Sequence, residues 1–113
     1  MFRFPIRTDA MTLMVSRAPT LKLDLDKRPK MDPATGWPLH EVEITALTDE
    51  VNGSVIMKVT VASPTPPAVR FRDIVDAVDL EILPWAQKSD KDELRSGVAF
   101  RATELRVLVP AQG

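Results

Sequence analysis

The chain has 113 residues, 44% of them apolar and 27% charged, with a formal net charge of −1. That is enough for one domain with one modest core, and too balanced a composition for wholesale disorder. The absence of cysteine excludes disulfides, thiolate catalysis and cysteine-ligated zinc. The opening Met-Phe-Arg-Phe-Pro-Ile-Arg lacks an apolar stretch long enough for a signal peptide. No run approaches 18 apolar residues, so no membrane partner and a cytoplasmic location are expected. Charge is uneven along the chain: residues 1–30 carry +4, residues 31–69 carry −4 and residues 70–113 carry −1.

Alternation of apolar and polar residues dominates the pattern and predicts strands. Leu13 and Val15 share one parity, with Met14 and Ser16 opposite, and Leu21, Leu23 and Leu25 line one face further on. Together they predict one long first strand, bent at Ala18-Pro19 because proline cannot donate to a ladder. Pro29, Pro33, Gly36 and Pro38 mark a loop. The second strand is predicted over Leu39–Thr48, with Val42, Ile44 and Ala46 on one face. Asn52-Gly53, both tolerant of positive φ, predicts a hairpin into a third strand over Val55–Ala62.

Ser63-Pro64-Thr65-Pro66-Pro67 reads as a surface crossover. Apolar residues at 71, 74, 75 and 78 have helical spacing and predict one or two helical turns there. Val78, Leu80 and Ile82 predict a fourth strand ending near Pro84-Trp85. Asp90–Leu94 predicts a turn of helix. A fifth strand opens at Gly97, and its apolar parity switches between Ala102 and Leu105, the mark of a bulge or of a strand serving two faces. The whole reads as all-β: one domain over 1–113, its core about 10–109. The expected fold is a small five-stranded OB-like Greek-key barrel with a short helical crossover. A different small barrel or an open antiparallel sheet is the rival.

Leu39–Leu47 (LHEVEITAL), Val55–Val61 (VIMKVTV), Pro84-Trp85-Ala86 and Ser96–Ala102 (SGVAFRA) resemble a family of small regulatory proteins of actinobacterial plasmids and integrative conjugative elements. Some of its members are described as activators of replication, integration and excision. The resemblance spans about residues 10–109 and implies a non-enzymatic regulator of a mobile element. It supplies no site residues. Arg70–Val75 departs from the Gly-Pro turn of that family's pattern. The tryptophan, polar loop and Phe-Arg strand near the C-terminus also resemble single-strand-binding OB-folds.

Enzyme motifs are missing: there is one histidine, His40, and no P-loop, GxGxxG, GxSxG or HExxH. No cofactor or metal is expected, and Asp73, Asp76 and Asp79 read as a solvated acidic edge rather than cation ligands. Single-stranded nucleic acid is held by flat rings that stack on bases and by cations that meet phosphates. The candidates are Trp37 with Lys27, Arg28 and Lys30 in the first long loop, Trp85 with Lys88, Lys91 and Arg95 around the last loop, and Lys58 and Arg101 on strands. Phe71 and Phe100 are expected in the core, and Arg101 is expected to face outward, toward phosphate or Glu104. The expected partner is single-stranded DNA. The alternative is an adaptor that docks a replication or recombination protein through an edge strand or through residues 63–67, and self-association is compatible with either.

Overall fold

A computed structural model describes residues 4–5, 11–48, 53–88 and 94–111. They form β1 (Phe4–Pro5), β2 (Thr12–Leu21), β3 (Leu39–Leu47), β4 (Ser54–Ala62), β5 (Ile74–Val78), β6 (Glu81–Lys88), β7 (Leu94–Ala102) and β8 (Glu104–Val109). The strands follow one another across the sheet as β1-β6-β7-β4-β3-β2-β5-β8. All neighbours are antiparallel except β4 and β7, where Thr60 lies beside Arg101 in a parallel pair. The protein is all-β, and among the described residues no helix is long and apolar enough to cross a membrane.

The inward rows are those the alternation marks. Leu13 and Val15 of β2, Val42, Ile44 and Ala46 of β3, Met57, Val59 and Val61 of β4, and Val75 and Ala77 of β5 are buried. Val69, Leu80 and Ala102 complete the core, with Phe100 packed against it. β3 and β4 pair without a break from Leu39↔Ala62 to Leu47↔Ser54. The turn that joins them, residues 49–52, lies outside the described residues. β2 slips register against β3 between Val15 and Arg17 and again between Arg17 and Thr20, just before and across Pro19.

Eight strands stand where five are expected: creasing the last two once each makes seven, and the short β1 is the eighth. Asp79, at φ 52, separates β5 from β6, and Thr103 separates β7 from β8. The register is unchanged across the crease: Val78 faces Glu104 and Glu81 faces Arg101. Thr103 holds the fold line, its N–H donating to the Val78 carbonyl at 3.0 Å and its hydroxyl to the same oxygen at 3.2 Å. The crease turns one half of this long hairpin toward β2, through β5, and the other half toward β4, through β7.

The expected helical crossover is absent. Arg72 has φ 76, which a right-handed helix does not allow, and its N–H donates to the Val15 carbonyl at 2.8 Å. From Ile74 onward burial alternates with period two, with Val75 and Ala77 inward. Phe71, expected in the core, is 53% exposed and lies 5.3 Å from the Arg72 guanidinium. Leu21, Leu23 and Leu25 are also exposed. Past Leu21 the chain leaves the sheet in a projecting finger, where Leu23 bridges Pro29, so the alternation continues where no second layer covers it. The helical turn expected at Asp90–Leu94 lies outside the described residues except Leu94, which begins β7.

Candidate nucleic-acid interface

The connection between β2 and β3 is built as two small turns. In the finger, the Asp24 carboxylate accepts from the N–H groups of Asp26 and Arg28, both at 2.9 Å, and Lys27 takes φ 62. The Lys30 N–H donates to the Lys22 carbonyl at 2.9 Å. This leaves Lys27, Arg28 and Lys30 exposed on one hydrogen-bonded turn.

The second turn carries Trp37. Asp32 is buried, and its carboxylate accepts the Thr35 hydroxyl at 2.9 Å and the Arg101 guanidinium at 3.1 Å. Its backbone closes the loop, accepting from Gly36 N–H at 2.7 Å and donating to the Trp37 carbonyl at 2.8 Å. Gly36 sits at φ 73, the left-handed region glycine enters without a Cβ penalty. The Thr35 hydroxyl oxygen in turn accepts the Trp37 N–H at 3.2 Å. The Thr35 hydrogen bond and the Arg101 charge hold the Asp32 carboxyl below its usual range, against the opposing effect of burial.

Trp37 itself is 44% exposed and stands between two clefts. One is lined by Asp32, Thr35, Ala62, Arg101 and Thr103. The other runs along Ala62, Thr65, Pro66, Pro67, Glu104 and Leu105. An exposed indole that lines a cleft is a candidate for stacking on a base.

The remaining candidates are dispersed. Lys58 is exposed on β4 opposite Glu43, in a shallow polar groove with Arg17, Thr20 and Glu41. Arg17 approaches Glu43 at 3.6 Å, so that groove carries both signs of charge. Arg101 does not pair with Glu104, which holds Arg106 at 2.7 Å; it is engaged by Asp32. Trp85 pairs with Gly97, Gln87 with Arg95 and Lys88 with Leu94 on the far part of β6–β7. Gly97 lies four residues from Arg101, roughly 13 Å along the strand. The Trp85 backbone therefore lies beyond the part of β7 that Arg101 occupies. The side chains of Trp85, Lys88 and Arg95, and Lys91 altogether, lie outside the described residues.

Asp32 escaped the sequence reading as the buried anchor of this loop, although the Asp-Pro-Ala-Thr-Gly run carried a signal, an aspartate able to cap its own turn. Thr65, Pro66 and Pro67, within the 63–67 stretch read as a crossover and as an adaptor's docking segment, wall the second cleft beside Trp37. His40 is buried and its ring Nε2 meets the Ser63 carbonyl at 3.1 Å. Asp73 is buried, accepting the N–H groups of Arg70 and Ala111, both at 2.7 Å. Among the described residues no three acidic or histidine groups are placed to hold a metal. No protein-family model matches this chain, and no match was found among the curated proteins or the solved structures.

Proposed function

We propose that this protein is a small non-enzymatic regulator that binds single-stranded nucleic acid, in the cytoplasm, during replication or transfer of a mobile element. The observation that carries the reading is Trp37: an exposed indole on a loop pinned by Asp32, between two clefts, beside a finger bearing Lys27, Arg28 and Lys30. Among the described residues none of those three cations has an ion-pair partner, so they are free to meet phosphate. With each creased arm counted as one strand and the short β1 set aside, five strands pair first to second to third, third to fifth in parallel, fifth to fourth and fourth to first, an order compatible with a Greek-key barrel. In such barrels the loop between strands one and two and the loop between strands four and five flank the ligand face. Residues 22–38 and 89–93 occupy those two places in the chain.

The test is a titration with fluorescently labelled oligo-dT, following anisotropy and tryptophan emission at low and moderate salt. Binding with quenched emission is expected. Trp37→Ala should weaken it about tenfold, the size of a lost base–aromatic stack. No binding at low salt overturns the reading.

One observation favours an adaptor as a second reading. β8 is one of the two edge strands of the sheet, and Val107, Leu108 and Val109 on it are exposed. An apolar edge of that kind fits strand addition by a replication or recombination protein, or by a second copy.

A further inference from the structure

Arg101 is the cation nearest Trp37 in the chain of contacts, and its side chain is 30% exposed. Its backbone is paired on both sides in the sheet, with Thr60 of β4 and Glu81 of β6. Its guanidinium, however, is spent on Asp32, whose side chain is only 4% exposed. From Asp32 the connections run straight to the indole: Thr35 hydroxyl to the Asp32 carboxylate, Trp37 N–H to the Thr35 hydroxyl, and Asp32 N–H to the Trp37 carbonyl. Both backbone polar groups of Trp37 thus end on the turn that Arg101 ties to β7.

We propose that Arg101 is a positioning residue: through Asp32 it fixes the Trp37 loop against β7, and it does not itself contact phosphate. This rests on the nucleic-acid reading for its ligand, but the pinning is a property of the free protein. Two consequences, the salt slope and non-additivity, distinguish it from a phosphate contact. Removing a phosphate contact reduces the slope of log affinity against log salt, by about 0.7 for a single strand. Removing a positioning residue lowers affinity and leaves that slope unchanged. Residues that act as one unit give non-additive losses.

The experiment compares Arg101→Met, Asp32→Asn, the double variant and Arg101→Lys in full-length protein. Binding to labelled oligo-dT is measured across a salt series. Trp37 motion without ligand is measured by time-resolved anisotropy in a Trp85→Phe background. If that background does not fold, 19F NMR of 5-fluorotryptophan protein replaces it, with Trp37→Phe assigning the signal. The expected result is about a tenfold loss in both single variants, no further loss in the double, an unchanged salt slope, partial rescue by lysine, and a more mobile Trp37. A reduced slope in Arg101→Met, or Asp32→Asn binding like the parent, overturns the proposal. If the parent binds no oligonucleotide the functional reading fails, and Trp37 motion alone decides: unchanged motion in both variants overturns the pinning, increased motion supports it.

Discussion

Asp32 and Asp73 do the same work in different places. Each is a buried carboxylate that fixes chain outside the strands: Asp32 ties its loop to β7 through Thr35 and Arg101, and Asp73 joins the N–H groups of Arg70, ahead of β5, and Ala111, beyond β8. Hydrogen bonding to the charged form lowers both pKa values from 3.8. The folded state therefore holds these protons more weakly than the unfolded chain. Their contribution to stability is complete above the ordinary carboxylate range and is lost as pH falls below it. Urea midpoints should be level from pH 7 to 5, as far as these groups are concerned, and drop below about pH 4. In Asp73→Asn the midpoint should already be lower at pH 6 and its further fall toward pH 3 shallower. An equal acid-induced drop in parent and variant would show that Asp73 contributes nothing to the pH dependence.

The crease is the decisive feature among the elements. Without it the two arms of the 74–109 hairpin would run as one straight ribbon whose two outer edges face away from each other. With it, β5 reaches β2 and β7 reaches β4. Asp79 accepts the left-handed conformation because aspartate is among the residues least penalised there. Its carboxylate lies 3.4 Å from the Thr103 hydroxyl across the fold line. Asp79→Val, branched at Cβ, should cost about 1–2 kcal/mol in urea unfolding, whereas Asp79→Gly should be tolerated. A valine variant as stable as the parent would mean the crease forms without help from this turn. The finger behaves oppositely. Leu25 is fully exposed, so Leu25→Ala should change stability by no more than about 0.5 kcal/mol.

For the molecule as a whole, one core decides folding. Ile44 is buried to 0% exposure at the centre of β3, between β2 and β4. Ile44→Ala should cost about 2–5 kcal/mol by lost transfer energy and cavity formation, a large share of the roughly 5–15 kcal/mol typical of a small domain. A loss under 1 kcal/mol would place the core elsewhere. The contrast between Ile44 and Leu25 shows what local pattern conveys. The sequence by itself determined the all-β class, the inward rows of β3 and β4 and the exposed cations of the finger, because side-chain alternation and turn chemistry are local properties. The same alternation predicted a covered face for Leu21, Leu23 and Leu25, and helical spacing predicted a core place for Phe71. Only tertiary structure decided those, since burial depends on whether a second layer lies opposite. It alone brought Arg101 to Asp32, 69 positions away in the chain, and so set Trp37 in place. Contacts of that length depend on the crease and on sheet pairing, and no local run of residues encodes them.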